Sequence, residues 1–383
     1  MGYVNFVNAL CFFWVMIMNN LSAEYYYFPK PQGRFSVGTM LFEFVDYARH
    51  DPLKTGVEKE RRLVVQVWYP SSVQHDKDIE TAAYPEEMIV MLKRKFAHMI
   101  EDSARMKDCF ERLHDIRTYA LPNAPLAPDI GKIPVVFFNH GYATTRGAYT
   151  SLCEDLASHG YVVVGTVHTF ISPVKYYLDG TRIDFLVPRS DMLYSVYCDD
   201  IDFVVKQIRS GGLGTLGDLC DFERIGMIGH SLGGMVAWNL VQREPWIKAG
   251  ISLDGPPYHY DLSQGATKPF MLVRAPGFYA MFADYDLQML GNRKNIPDAS
   301  EDKQQALKEK FEAFCAASSA QVQEVVVQGA AHSTFSDAAV LTPLLKKMFA
   351  MDDVDLSAGS IDGVEAIEYI RHQLVSFLDV HVK

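Results

Sequence analysis

Positive charge is scarce in this chain. Its 383 residues carry 36 Lys and Arg against 47 Asp and Glu, a net charge of −11, and no basic block stands out beyond Lys93–Arg94–Lys95. Binding a phosphate backbone needs clustered cations, so nucleic acid is not an expected partner. Cysteine is sparse too. The six are Cys11, Cys109, Cys153, Cys198, Cys220 and Cys315, and no two stand at metal-ligand spacing. A core of the size this length allows needs no disulfide staples. Internal repeats and low-complexity tracts are absent. The apolar stretch from Val4 to Met18 falls short of the roughly 20 residues that a membrane span needs.

That stretch fits a different use. It ends at Asn19–Asn20, and Leu21–Ser22–Ala23 then offers small residues before Glu24. Residues 1–23 therefore read as a secretory signal peptide, and the protein is expected to be secreted or periplasmic. The n-region has no Lys or Arg, so a buried N-terminal helix or an uncleaved anchor is the competing reading. Cleavage would remove Cys11 and leave five cysteines, at least one of them unpaired within the chain.

What is present is ordinary globular composition, 49% hydrophobic and 22% charged, which excludes disordered and fibrous classes. Residues 24–383 are read as one α/β domain. Phe35–Phe44 and Leu63–Tyr69 are expected strands, with a charged, turn-prone stretch around Asp51–Pro52 and Glu58–Arg62 between them. A helical insertion is expected at about 84–118. There Met88, Met91, Leu92, Phe96, Met99 and Ile100 recur at spacings of three and four. The Met88–Met106 part is read either as a lid or lipid-facing patch, or as plain packing. From Ile133 onward, expected strands at 135–138, 161–167, 225–228, 249–253, 270–273 and 322–327 alternate with helical patterns. One of those helices runs from an Ser300 cap to about Ala317, and another at the C-terminus carries Val364, Ile367, Ile370, Leu374 and Phe377 on one face. This alternation predicts a mostly parallel central sheet with helices on both faces.

Gly229–His230–Ser231–Leu232–Gly233 follows an expected strand and opens an expected helix. This is the G-x-S-x-G elbow in the setting it requires, and it predicts the α/β-hydrolase fold with Ser231 as nucleophile. The serine must occupy a sharp turn, so its neighbours must be small. A serine hydroxyl needs a base, and in this fold the chain order is serine, acid, histidine. His259, His332, His372 and His381 follow Ser231. His332 lies just after the last expected strand and is the favoured base. His372 and His381 fall on or beyond the C-terminal helix, and His259 sits early beside Pro256–Pro257. For the acid, Asp254 ends a strand directly after the elbow helix, where placement is rigid. Asp284 and Asp286, beyond the next strand, stay open as alternatives. The oxyanion hole is expected from the N–H groups of Leu232 and of Tyr142, in the loop Asn139–His140–Gly141–Tyr142.

Several of these landmarks fall together in one family. Val65–Gln66–Val67–Trp68–Tyr69–Pro70, Phe138–Asn139–His140–Gly141–Tyr142 and Asp155–Leu156–Ala157–Ser158–His159–Gly160–Tyr161 come first. Ile228–Gly229–His230–Ser231–Leu232–Gly233–Gly234, Ser252–Leu253–Asp254 and Gly329–Ala330–Ala331–His332–Ser333–Thr334–Phe335–Ser336–Asp337 follow. In this order, over about Phe35 to Phe377, the chain resembles the plasma-type platelet-activating factor acetylhydrolases and their bacterial relatives. The resemblance implies Asp254 as the acid and Tyr142 as the second oxyanion donor. It also implies calcium-independent hydrolysis of short or oxidised sn-2 acyl chains of phospholipids. The expected partners are an ester or phospholipid substrate and, peripherally, a lipid surface, with no metal or organic cofactor. Departures at His140–Gly141–Tyr142 and at Gly255–Pro256–Pro257, after Asp254, shape the pocket. A broad carboxylesterase or polyester hydrolase is thus the alternative enzyme. A non-catalytic hydrolase-fold binding protein is the alternative of another class, and it would be expected to lack a triad member.

Overall fold

Seven consecutive buried residues, Ile133–Asn139, form a strand at the middle of the molecule. Successive side chains of a strand point to opposite faces. Ile133, Val135 and Phe137 enter one hydrophobic core, and Val136 and Phe138 enter the other. A strand so apolar at every position must be covered on both sides. The computed structural model shows that cover. It describes residues 25–51, 53, 60–73, 81–97, 104–186, 190–258, 262–283 and 299–383. The expected signal peptide lies outside these residues, as do Asp284, Asp286 and His259.

Among the described residues the main sheet has nine strands: β1 Ser36–His50, β2 Glu60–Ser71, β3 Leu121–Pro122, β4 Ile133–Asn139, β5 Val162–Val167, β6 Cys220–His230, β7 Ala249–Leu253, β8 Phe270–Arg274 and β9 Val322–Val326. Their order across the sheet is β9-β8-β7-β6-β4-β5-β2-β1-β3. From β9 to β5 all pairs are parallel; β2 runs antiparallel to both β5 and β1. The chain passes from β4 to β5 on one side and then crosses to β6 on the other. The order therefore reverses between β4 and β6, and the carboxyl ends of strands at such a point form a crevice.

Among the described residues, the helices of eight residues or more are α1 Glu86–Lys95, α2 Ala104–Glu111, α3 Thr150–Ser158, α4 Ser190–Gln207, α5 Leu232–Arg243, α6 Glu301–Ala317, α7 Ala338–Phe349 and α8 Gly363–His381. Leu152, Leu156, Leu341, Leu345, Ile367 and Leu374 bring α3, α7 and α8 to one core. Tyr197, Ile201, Trp238, Leu240, Phe311 and Phe314 bring α4, α5 and α6 to the other.

Three sequence expectations change. The helical insertion expected at about 84–118 contains α1 and α2 and ends in a 3-10 turn, Arg112–Asp115, and a short strand, Ile116–Arg117; Met99 and Ile100 fall outside the described residues. Glu60–Arg62, read as turn-prone, begins β2 instead. Arg61 is fully buried there, with Asp200 on one side and Asp51 on the other to hold its charge. Ser300 precedes α6 but makes no side-chain cap; Glu301 and Asp302 complement the helix dipole in the first turn.

Candidate active site

β6 ends at His230, and Ser231 turns the chain into α5 with φ 54 and ψ −117. A non-glycine residue in this region is strained by on the order of 1–3 kcal/mol and persists only where its surroundings over-determine it. Here the Ser231 N–H donates to the Leu253 carbonyl at 3.0 Å. The glycines at either side answer to contact: a Cβ on Gly229 would lie 2.1 Å from the Gly233 oxygen, and one on Gly233 would lie 2.2 Å from the Asn139 oxygen.

The register places the other side chains. His230 pairs with Leu253 on β7, so Asp254 emerges beside Ser231. Asp254 is also left-handed, with φ 48, and its N–H donates to the Val273 carbonyl at 2.7 Å. Its Oδ1 accepts the Ala275 N–H at 2.8 Å, which aims Oδ2 at His332 Nδ1, 2.6 Å away. His332 opens a 3-10 turn after β9, and its Nε2 lies 2.9 Å from Ser231 Oγ. A carboxylate can only accept. The Nδ1 nitrogen therefore carries the proton, and Nε2 is free to accept from the serine hydroxyl. The structure thus brings Ser231, His332 and Asp254 into one hydrogen-bonded line. His372 is exposed on α8, and His381 packs its ring against Phe377.

The two expected oxyanion donors flank the serine. Leu232 is the first residue of α5, and Tyr142 lines the cavity above Ser231. The Gly141 carbonyl, in the same peptide unit as the Tyr142 N–H, accepts from His140 Nδ1 at 2.7 Å. In a trans peptide the C=O and the following N–H point in opposite directions, so His140 fixes where the Tyr142 N–H points. His140 Nε2 in turn accepts the His168 N–H at 3.2 Å. Burial, with His168 nearby, pushes the His140 pKa well down, and the ring stays neutral as this pattern requires.

Ser231 and His332 open into a cavity of about 450 Å³. Its walls are mainly apolar and include Met88, Met91, Leu92, Leu341 and Leu356, and Lys95 is the only Lys or Arg among its described lining residues. A nucleophile, a base with a fixed tautomer, and an apolar chamber can together carry out acyl transfer.

Sequence reasoning gave no role to Tyr149, His230, His140 or Asp337, all buried around this centre. Asp337 accepts from the Thr150 and Ser151 N–H groups at 3.0 and 3.1 Å and from the Ser151 hydroxyl at 2.5 Å. It thereby ties the start of α3 to the loop that carries His332. The motif around His332 contains Asp337, but the partners lie 186 and 187 residues away, and no local pattern announces them.

Fold and geometry together define an α/β-hydrolase of the serine type. The family described as "Platelet-activating factor acetylhydrolase, isoform II" matches residues 21–182 and 202–383, and the chain belongs to it. An Arthroderma benhamiae protein named "Probable 1-alkyl-2-acetylglycerophosphocholine esterase" is 24% identical over 90% of this chain and 85% of its own length. The platelet-activating factor acetylhydrolase of Canis lupus familiaris is 23% identical, over 59% of this chain and 54% of that protein. Among solved structures, a ferulic acid esterase from Streptomyces cinnamoneus superposes with a TM-score of 0.68, covering 93% of both chains at 24% identity, which shows the shared fold.

Proposed function

We propose that this chain is a serine ester hydrolase that removes short or oxidised sn-2 acyl chains from phospholipids through an acyl-Ser231 intermediate. The observation that carries the reading is the Ser231–His332–Asp254 line at the floor of the apolar cavity. Ser231 Oγ attacks the ester carbonyl carbon while His332 Nε2 takes its proton. The carbonyl oxygen gains the electron pair and meets the N–H groups of Tyr142 and Leu232. As the pair returns, the bond to the glycerol oxygen breaks, and His332 gives its proton to that oxygen. Water repeats the sequence on the acyl-serine and releases the acid. Asp254 holds the tautomer and the cationic form of His332 throughout. Family membership and the name of the fungal relative support the substrate class. The size and apolar walls of the cavity suit a short acyl chain. The protein acts, on this reading, after export, with its mature chain beginning near Glu24 and with peripheral contact to lipid.

An organophosphonate is expected to label Ser231 and to abolish hydrolysis of a 2-acetyl phospholipid. Asp254→Asn is expected to lower kcat by about 10⁴ while cooperative unfolding is kept. Labelling elsewhere, or full activity in Ser231→Ala, would overturn the mechanism. Turnover of aryl or polymeric esters with none of the phospholipid would move the reading to a general carboxylesterase or polyester hydrolase.

A further inference from the structure

The loops that carry Gly141 and His332 leave β4 and β9, which are separated in the sheet by β6, β7 and β8. β4 and β9 do not pair with each other, and beyond their ends a chain of side-chain bonds joins the two loops directly. The fully buried Tyr149 hydroxyl accepts the Gly141 N–H at 3.1 Å and lies 2.8 Å from His230 Nδ1. The other nitrogen of that ring, His230 Nε2, lies 3.0 Å from the carbonyl oxygen of His332. The His230 ring also packs against the His332 ring, with centroids 4.6 Å apart.

The end groups fix the direction of the chain. The Gly141 amide can only donate, and the His332 carbonyl can only accept. His230 Nε2 therefore carries a proton, and Nδ1 of the neutral ring accepts. Tyr149 supplies the proton to Nδ1 while its oxygen receives the Gly141 N–H. Burial pushes the Tyr149 pKa up to about 12, so the hydroxyl keeps the proton it must donate. One end of the chain is the residue before Tyr142, and the other is the backbone of His332 itself. His230, at its centre, is the residue in front of Ser231. Asp337 ties the same two regions at the level of whole elements, whereas this chain reaches the backbone beside the reacting groups.

We propose that Tyr149 and His230 are positioning residues that hold the oxyanion loop and the base loop in register across Ser231. The proposal rests on the serine-hydrolase reading of the site. It differs from a packing role in what it demands of the kinetics. A bridge that only stabilises would leave each folded molecule fully active when cut. A bridge that positions would leave the fold and substrate binding in place and slow the chemistry, since small displacements at such a centre can cost about 10²-fold.

The test is a double-mutant cycle of Tyr149→Phe and His230→Gln. It is read by kcat and KM on para-nitrophenyl acetate, by the rate of Ser231 phosphonylation, and by thermal melting. Each single change is expected to lower kcat about 10–100-fold and the labelling rate in parallel, with KM held within about threefold. The double variant is expected to be little worse than the poorer single, because both cut one chain. Normal kcat with a lowered melting temperature in both singles would reduce the bridge to packing. Effects that simply multiply would mean two independent residues, and would equally overturn the proposal. Should Tyr149→Phe not accumulate as folded protein, His230→Gln carries the test by the same kcat criterion. Ser231→Ala is assayed alongside. Activity in that variant would bring down the serine-hydrolase reading itself, whereas its inactivity combined with unimpaired bridge variants would bring down the bridge alone.

Discussion

At the scale of the residue, the site was legible where its chemistry is written in neighbours along the chain. Ser231 stands in a contiguous motif, and His332 and Asp254 stand at strand ends that apolar runs announce. Tyr149, His230, His140 and Asp337 were not legible in this way, because each is completed by a group remote in the chain: His230 for Tyr149, His332 for His230, His168 for His140, and Thr150 and Ser151 for Asp337. Asp337 shows what such a position implies. It is fully buried, and burial pushes its carboxyl up to about 6 despite the hydrogen bonds it accepts. A carboxyl whose folded pKa is raised binds protons in the folded state before it does so unfolded, where its value is near 3.8. Its contribution to stability is therefore complete below about 3.8 and is lost as pH rises through about 6. Asp337→Asn removes that dependence. The variant's deficit relative to the parent is expected to grow by on the order of 2–3 kcal/mol between pH 7 and pH 4, read by urea unfolding at each pH. A deficit that shrinks on acidification would show that Asp337 is held as a stabilised carboxylate instead.

At the scale of the element, α1 carries the described first part of the Met88–Met106 segment. Met88, Ile89, Leu92 and Phe96 are buried in the core shared with α3 and α7, as periodic apolar residues commonly are. Glu87 pairs with Arg146 at 3.0 Å and fixes the helix from its other side. The same helix forms a wall of the cavity with Met88, Met91 and Leu92. Packing and pocket lining are thus two uses of one face. Lys95 ends the helix exposed at that cavity and makes no ion pair among the described residues. A phosphate carried into the cavity mouth by a phospholipid would meet this charge, and a neutral ester would not. Lys95→Glu is expected to raise KM for a 2-acetyl phospholipid about 3–10-fold more than for para-nitrophenyl acetate, the range set by an exposed ion pair turned repulsive. Equal changes for both substrates would place the phosphate elsewhere.

At the scale of the whole molecule, the parallel half of the sheet could be read from the sequence, and the rest much less so. Apolar runs such as Val135–Phe138 and Phe270–Val273 declare strands buried on both faces. Nothing local declares that β2 pairs antiparallel with β5, or that Arg61 enters the interior. Arg61 does so because Asp200 on α4 waits for it at 2.6 Å, with Asp51 at 3.0 Å, a meeting across 139 residues for the first. Cysteine usage is a further property of the molecule as a whole. Cys109, Cys153, Cys198 and Cys220 are buried and Cys315 is half-buried, and all five are free thiols. Burial pushes the Cys198 thiol up to about 11 and Cys220 up to about 12, and raises Cys153 well above its ordinary value. Thiolate is the reactive form, so such groups are shielded from oxidation by both access and protonation. Buried thiols of this kind are compatible with a reducing or an oxidising compartment. Export makes a countable prediction, because a chain cleaved before Glu24 has lost Cys11. Thiol titration of the natural protein is expected to find only Cys315 reacting readily in the native state and five thiols after denaturation, with a measured mass that begins at Glu24. Six thiols on a chain that keeps Met1 would refute cleavage, and fewer than five would reveal disulfides that the folded arrangement does not contain.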